Sequence, residues 1–272
     1  MMKSAVTVSL VKEARGGPFV FWDDLPAACA KAREIGFDAV EIFPPEPGAI
    51  EMGELRKLLS ENKLSLAAVG SGAGWVKHKL LLTDANPDHR KRAKEFIRGM
   101  IDFAGKFGAP TIIGSMQGRW GSDVTREKGL EQLAEAVGEL AQHAKQYRAP
   151  LLFEPLNRYE SNFVNTVEAG LELLKKAQSE NVRLLCDLFH MNIEEQDIAA
   201  SLRRAGKNLG HVHLADSNRR AAGGGHTDFA PIAKALRDIG YDGFISAEAM
   251  AGAGGPEEAA KMTMAAFRKY FA

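Results

Sequence analysis

The segment VRLLCDLFHMNIEEQDIAASLRRAGKNLGHVHL, residues 182–214, contains the clearest indication of the fold. An apolar run at 182–187 is followed by a weaker helical pattern at 194–206 and then by a second run at 210–214. Short, almost continuously apolar runs are typical of strands buried on both faces, and such strands are mostly parallel. Two parallel strands joined through a helix make a right-handed crossover. The stretch therefore predicts one β–α–β unit of a parallel sheet.

The same alternation extends along the whole chain. Eight short runs are rich in Val, Ile, Leu and Phe, at residues 5–11, 39–43, 65–70, 110–115, 150–154, 182–187, 210–214 and 243–248. Helical patterns alternate with them, at residues 24–35, 52–62, 87–107, 126–146, 166–179, 194–206, 229–239 and 256–271. The chain has 272 residues, which suits a (β/α)8 barrel of about 250 residues. The sequence predicts an α/β fold, a (β/α)8 TIM barrel with eight parallel strands inside a ring of helices, as a single domain over residues 1–272.

Composition argues against several classes of protein. The 35 basic residues balance the 35 acidic ones, and this neutral balance disfavours a nucleic-acid-binding surface. Cys29 and Cys186 are too few for a disulfide framework, and Cys186, inside an apolar run, is expected to be a small core residue. No apolar run approaches the ~18 residues of a membrane helix, and no basic-then-apolar leader opens the chain. We therefore expect a cytoplasmic protein without a membrane span.

Four consecutive predicted strands carry, at or near their ends, a side chain that can bind a metal. Glu154, Asp187 and Glu248 end the fifth, sixth and eighth runs, and His213 lies near the end of the seventh. The carboxyl ends of barrel strands converge on one mouth, where active sites lie. Three buried carboxylates repel one another unless a cation lies among them. Three carboxylates with one imidazole suit Mn²⁺, Mg²⁺ or Co²⁺, so the sequence predicts one divalent metal ion.

The imidazole position has two candidates. His211 and His213 lie two residues apart in the same run, and we expect only one of them to face the barrel interior. Spacing leaves the choice between them open. A single acidic residue at a strand end is more often a helix cap or a surface group. The coincidence of four such residues at successive strand ends is what indicates a site.

The segments around these residues resemble a known family. EPLNRYE (154–160), CDLFHMNIEE (186–195), HVHLADSNRR (211–220) and the terminal Glu248 resemble the ketose 3-epimerases, which include D-tagatose and D-psicose 3-epimerases. That group lies within the xylose-isomerase-like, or sugar phosphate isomerase/epimerase, barrels. The likeness is close over residues 150–250 and general in the first half. The segments ADSNR (215–219) and GSMQGRWG (114–121) look closer to the 5-keto-L-gluconate epimerase branch, which raises a keto-sugar acid as the substrate.

The resemblance implies a metal and two proton-transfer groups. It selects His213 over His211, so the implied metal ligands are Glu154, Asp187, His213 and Glu248. Mn²⁺ is the most expected ion, with Co²⁺ or Mg²⁺ as alternatives. Glu154 and Glu248 would also be the catalytic bases, which transfer a proton at C3 of a ketose or keto-sugar acid through an enediolate intermediate.

The resemblance also implies how the small-molecule sugar substrate is held. Glu160, His190 and Arg219 match groups that bind substrate oxygens. Arg119 is a candidate for binding the carboxylate of a keto-sugar acid, because guanidinium groups pair with carboxylates through two hydrogen bonds. Relatives are often dimers or tetramers, so we expect a homo-oligomer, with neither a nucleic acid nor a membrane as partner.

Other functions stay open on the sequence alone. An aldose–ketose isomerase would use the same scaffold, metal and enediolate chemistry at another carbon, and an inosose dehydratase is a further alternative. An endonuclease IV-like phosphoesterase needs a His-rich metal cluster, but His78, His89 and His143 do not end predicted strands. A non-catalytic sugar-binding barrel would be expected to lack one of the two glutamates, and both are present.

Overall fold

The structure is a computed structural model that describes residues 1–272, and its parallel strands form one closed sheet. The strands are Lys3–Ser9 (β1), Phe21–Trp22 (β2), Ala39–Phe43 (β3), Ser65–Gly70 (β4), Thr111–Ile113 (β5), Leu151–Phe153 (β6), Val182–Asp187 (β7), Leu209–Leu214 (β8) and Phe244–Ala247 (β9). Their order is β2-β1-β3-β4-β5-β6-β7-β8-β9, and pairing between β1 and β9 closes the barrel. The short β2 pairs only with the end of β1, so eight strands form the barrel, as predicted.

Helices follow the barrel strands. They are Leu25–Ile35 (α1), Met52–Asn62 (α2), Ala73–Val76 (α3), Pro87–Gly105 (α4), Arg126–Ala144 (α5), Val167–Lys176 (α6), Leu188–Glu194 (α7), Ile198–Ala205 (α8), Phe229–Asp238 (α9) and Gly255–Tyr270 (α10). Each of the eight predicted helical segments overlaps one of the longer helices. The sequence did not predict β2, α3 or α7, because such short elements do not span enough residues to show a period. None of the helices combines the length and the apolar character needed to cross a membrane.

Local sequence sets where the helices begin. Side chains at the N-cap positions accept hydrogen bonds from backbone N–H groups of the first turn, and these residues include Asp24, Thr125, Thr166, Asp197 and Asp228. Such caps satisfy donors that have no partner inside the helix, and each contributes about 1 kcal/mol. Asp228 thus caps the helix Phe229–Asp238.

The core lies mainly between the barrel and the helices. One cluster of 68 buried residues joins the outward-facing strand residues to the inner faces of the helices. Cys29 and Cys186 belong to it, so the prediction that Cys186 is a core residue is confirmed. A separate cluster of Ala5, Ala39 and Ala67 involves three neighbouring barrel strands. The sheet is therefore held rigidly, and the ends of its strands can position side chains accurately.

Candidate metal centre and active site

The carboxyl ends of four adjacent strands bring the four predicted ligands together. Glu154 follows β6, Asp187 ends β7, His213 lies in β8 and Glu248 follows β9, and all four side chains are buried. One potential ligand atom from each lies within 4.8 Å of the others. His213 Nδ1 is 3.6 Å from Glu154 Oε1 and 3.3 Å from Glu248 Oε2. The cluster is therefore compact enough for a single ion.

Two buried atoms in the cluster lack a hydrogen-bond partner. They are Asp187 Oδ2 and His213 Nδ1. The other Asp187 oxygen, Oδ1, accepts from Phe189 N at 2.8 Å and so caps α7. Asp187 thus caps a helix with Oδ1, and its other oxygen, Oδ2, remains able to bind another group. Buried polar atoms without partners are uncommon and costly. A divalent cation would satisfy both atoms, and the donor set of carboxylates and one imidazole fits such an ion.

The pKa shifts of the clustered residues also favour a bound cation. Burial raises the pKa of Glu154 to about 8, and Glu248 and Asp187 add to the rise, although His213 opposes it. Burial likewise raises the pKa of Asp187 above its usual range. Burial alone would lower the pKa of His213, but Glu248 and Glu41 raise it well above its usual range. The buried carboxylates therefore need a compensating positive charge nearby. A proton on His213 supplies part of that charge, and a divalent metal ion would supply the rest.

Behind His213 lies a buried carboxylate that the sequence analysis missed. Glu41 Oε1 accepts from His213 Nε2 at 2.9 Å, and Oε2 accepts from His211 Nε2 at 2.7 Å and Ser246 Oγ at 2.6 Å. Strands β3 and β8 are not neighbours in the sheet, so these contacts cross the barrel interior. A carboxylate that binds one ring nitrogen of a histidine leaves the other nitrogen aimed at a metal. The signal was an acidic residue inside the apolar run AVEIF, since a buried carboxylate needs partners.

The expectation that only one of His211 and His213 faces the barrel interior is wrong. Both rings bind Glu41 inside the barrel. Successive side chains of a strand alternate between faces, so residues two apart point the same way. The difference between them is depth along the strand. His213, nearer the carboxyl end, reaches Glu154 and Glu248, whereas the hydrogen bonds of the His211 ring go to Glu41 and Ser246.

A cavity of about 310 Å³ opens above the cluster at the barrel mouth. Its lining includes the charged and polar side chains of Glu154, Glu160, His190, Arg219 and Glu248. It also includes the apolar side chains of Val11, Phe19, Phe43, Val76 and Ile112. This volume lies at the small end of the range for ligand sites, about 300–1,000 Å³. The cavity therefore suits a small molecule whose oxygen-rich part lies against the cluster.

Three of the four predicted substrate-binding residues line this cavity. His190 is buried, with its Nε2 3.6 Å from Asp187 Oδ2 and 3.8 Å from Glu154 Oε1. Arg219 Nη1 donates to Glu160 Oε1 at 2.6 Å, and the guanidinium lies 4.7 Å from the centre of the Phe189 ring. The Arg219 Nε atom is buried without a partner. These groups can therefore present hydrogen-bond donors to a ligand above the cluster.

Arg119, the fourth predicted substrate-binding residue, lies elsewhere. It lines a neighbouring depression with Trp120 and Asp84, and its Nη1 donates to the Tyr159 carbonyl at 3.1 Å. It is not among the residues that line the main cavity. Its predicted contact with a substrate carboxylate stays a prediction.

Asp216 organises the loop that carries Arg219. Its buried carboxylate accepts from the backbone N–H groups of Ser217, Gly223 and Thr227 at 2.7, 2.8 and 3.0 Å. Arg219 lies in this loop with φ of 60°, a conformation uncommon for a residue other than glycine. The surrounding hydrogen bonds hold that conformation, so the loop delivers the guanidinium to the cavity.

Substitution of Gly114 tests whether activity depends on the exact position of the Glu154 carboxylate. A Cβ atom at Gly114 would lie 2.5 Å from Glu154 Oε2, so Gly114→Ala must displace that carboxylate. We expect turnover to fall by about 10²-fold, since a misplacement of about 1 Å costs that much. Gly121→Ala is the matched control in the same segment, because nothing lies within 4 Å of its added Cβ. Steady-state kinetics of the two variants make the comparison, and equal activities would contradict a strict requirement on the position of Glu154.

Comparison with known proteins identifies the family of this chain. The family described as xylose isomerase-like TIM barrel matches residues 29–270. D-psicose 3-epimerase from Ruminiclostridium cellulolyticum is 32% identical over 249 residues, which cover 87% of this chain and 84% of the relative. L-ribulose 3-epimerase from Mesorhizobium japonicum is 31% identical over 230 residues, which cover 83% of this chain and 75% of the relative.

Solved structures give the same result. The D-psicose 3-epimerase from Clostridium cellulolyticum H10, solved with D-tagatose, superposes with a TM-score of 0.83 at 26% identity, over 99% of each chain. The fold and the matches together define an enzyme of the isomerase class on a barrel scaffold. The chain belongs to the xylose isomerase-like TIM-barrel family.

Proposed function

We propose that the protein is a divalent-metal-dependent epimerase that acts at C3 of a ketose or keto-sugar acid. One observation carries the proposal: Glu154 and Glu248 belong to the ligand cluster and also line the cavity above it. Each can therefore reach a substrate bound there. The relatives named D-psicose 3-epimerase and L-ribulose 3-epimerase support an epimerase activity on ketoses.

In this proposal Glu154, Asp187, His213 and Glu248 hold the ion, and Mn²⁺ is the most expected, with Co²⁺ or Mg²⁺ as alternatives. When bound, the ion would act as a Lewis acid that polarises substrate oxygens and makes the neighbouring C–H more acidic. Glu154 and Glu248 come from β6 and β9, with β7 and β8 between them, so the two carboxylates approach the cavity from different sides. One removes the proton from C3, and the other returns a proton to the opposite face.

The remaining polar groups hold the substrate in this proposal. His190 and Arg219 donate hydrogen bonds to substrate oxygens, and Glu160 accepts from a hydroxyl while it orients Arg219. In this proposal the apolar side chains of Phe19, Phe43 and Val76, which also line the cavity, contact the carbon atoms of the substrate. A preorganised cavity strengthens each of the polar contacts. The choice between a ketose and a keto-sugar acid stays a prediction.

The test is proton exchange followed by NMR. The Mn²⁺-loaded protein is incubated in D₂O with a panel of free ketoses and keto-uronates, and the position of deuterium is read in each product. Deuterium at an inverted C3 supports the proposal, and the best substrate identifies the class. Exchange at C1 or C2 with aldose formation would replace it with an aldose–ketose isomerase. Tight metal binding without exchange would favour a phosphorylated substrate, a dehydratase or a binding role.

Metal addition is expected to stabilise the fold. An ion that binds only the folded protein at 100 times its Kd adds about 2.7 kcal/mol to the free energy of unfolding. Thermal denaturation with and without Mn²⁺ after chelator treatment measures this as a rise in Tm. Asp187→Asn is expected to reduce the rise, because it removes charge from an oxygen that has no other partner. An identical rise in both proteins would place the bound ion outside this cluster.

Three further expectations from the sequence stay predictions: the oligomeric state, the single domain and the cellular location. A homo-oligomer would be detected by analytical ultracentrifugation. A single domain over residues 1–272 predicts one cooperative unfolding transition. The cytoplasmic location calls for microscopy of the tagged protein in its own cell.

A further inference from the structure

Asn157 lies in the loop after β6 and is buried among the groups proposed to bind substrate. Its Oδ1 accepts from Tyr159 N at 2.9 Å. Its Nδ2 lies 3.1 Å from Glu160 Oε1 and 2.7 Å from His190 Nδ1. The amide thus has three polar neighbours, and two of them are side chains that line the cavity.

The orientation of this amide is dictated by its neighbours. The backbone N–H of Tyr159 can only donate, so the amide oxygen must face it. Glu160, paired with Arg219 at 2.6 Å, is a carboxylate that can only accept, so the NH₂ group must face it. A flipped amide would create one donor–donor contact and one acceptor–acceptor contact. The NH₂ group therefore also faces His190 Nδ1.

This orientation decides where His190 carries its hydrogen. An Nδ1 atom that accepts from Asn157 Nδ2 at 2.7 Å has no proton of its own. The single ring hydrogen must then lie on Nε2, the nitrogen on the side of Asp187 and Glu154. At 3.6 and 3.8 Å those carboxylate oxygens are beyond a good hydrogen bond. The Nε2–H group is therefore available to a ligand in the cavity.

We propose that Asn157 is a positioning residue that holds His190 in the Nε2–H tautomer, so that the ring donates a hydrogen bond to a substrate oxygen. Only the identity of the acceptor rests on the proposed function. The opposite tautomer would present a lone pair, which cannot donate a hydrogen bond to a carbonyl or alkoxide oxygen of the substrate. Through Glu160, the same amide also helps to orient Arg219. One buried side chain thus aligns the three groups that face the ligand.

The tautomer can be measured directly in the metal-free protein. Long-range ¹H–¹⁵N correlation spectra distinguish a protonated from an unprotonated ring nitrogen, and loss of one spin system in His190→Gln assigns His190 among the seven histidines. We expect an unprotonated Nδ1 and a protonated Nε2. A protonated Nδ1 in the unaltered protein would overturn the proposal. This readout does not require activity, so it holds even if every sugar in the panel proves inert.

Asn157→Asp provides the second test, because it replaces the NH₂ donor with an acceptor. We expect the ring hydrogen to appear on His190 Nδ1 and kcat/KM to fall about 10²-fold, the usual loss when one oxyanion donor is removed. Metal affinity should change little, since Asn157 is not in the ligand cluster. Asn162→Asp is the matched control, because the Asn162 side chain bonds only to the backbone of Trp120.

A double-mutant cycle separates positioning from a merely structural role. If Asn157 acts largely through His190, Asn157→Ala should cost clearly less activity in a His190→Gln background than in the unaltered protein. Asn157→Ala also serves if the aspartate variant fails to fold, because it adds no buried charge. Fully additive losses, or an unchanged His190 tautomer in Asn157→Ala and Asn157→Asp, would overturn the proposal. Absence of turnover in the unaltered protein, with the expected tautomer present, would instead count against the epimerase assignment.

Discussion

Glu248→Gln is expected to reduce epimerisation by about 10³-fold, within the 10²–10⁴-fold range for loss of a general acid or base. The glutamine keeps the size of the side chain and an oxygen ligand, but it cannot take up or return a proton at C3. Glu248 is buried and lines the cavity beside His213, where it can reach a bound substrate. Steady-state kinetics on the best substrate of the panel give the loss.

Glu154→Gln is expected to lose epimerisation to a similar extent, but to differ in proton exchange. With two bases on opposite faces, each variant retains one base and should exchange the C3 proton of only one epimer with D₂O. The two variants should therefore show complementary preferences for substrate and product. NMR of deuterium incorporation, without net inversion, is the measurement. Exchange of the same epimer in both variants would indicate a single base.

A control variant excludes a general effect of the substitution. Glu258 on α10 is exposed and makes no hydrogen bond or ion pair, so Glu258→Gln should retain full activity. Mn²⁺ affinity of all three variants, measured by calorimetry, separates loss of the base from loss of the ion. If Glu248→Gln with Mn²⁺ bound kept normal turnover, Glu248 would not be a base.

Glu41→Ala is expected to weaken Mn²⁺ binding by about 10–100-fold, the usual effect of removing a partner that orients a metal ligand. Without Glu41, the His213 ring loses the acceptor that aims Nδ1 at the cluster. The free energy of unfolding should also fall. Burial acts to raise the pKa of Glu41, but His213 and His211 hold that pKa well below its usual range, so the folded protein stabilises the charged carboxylate. Removing one side of a buried ionic network of this kind costs about 3–5 kcal/mol.

Calorimetry with Mn²⁺ and chemical denaturation of the metal-free protein measure the two effects separately. Glu41→Gln keeps the size of the side chain and one acceptor, so its loss of stability should be smaller, about 1–3 kcal/mol. Glu46→Ala is the control, because Glu46 is a half-exposed carboxylate in the loop that follows β3 and has only a long contact with Lys77. Unchanged Mn²⁺ affinity in both Glu41 variants would show that Glu41 stabilises the barrel but does not orient a metal ligand.

Much of the fold was predictable because its signals are local. Each barrel strand is a short apolar run and each long helix has a period, so both can be seen within a window of neighbouring residues. The four clustered residues were predictable for a related reason. A closed parallel barrel brings all its strand ends to one mouth, so the position at a strand end is enough to place Glu154, Asp187 and Glu248 near one another.

Local patterns in the sequence thus predict the barrel, the ends of its strands and the three carboxylates that converge there, while the choice of His213 rests on the family resemblance. Which groups support these residues depends on the tertiary structure. Glu41 meets His213 across 172 positions of the chain, and Asn157 meets His190 across 33. The placement of Arg119 outside the cavity depends on the path of its loop. Periodicity reports which face of an element is buried, but contacts across the barrel interior and the courses of loops depend on packing between distant segments, which no local pattern records.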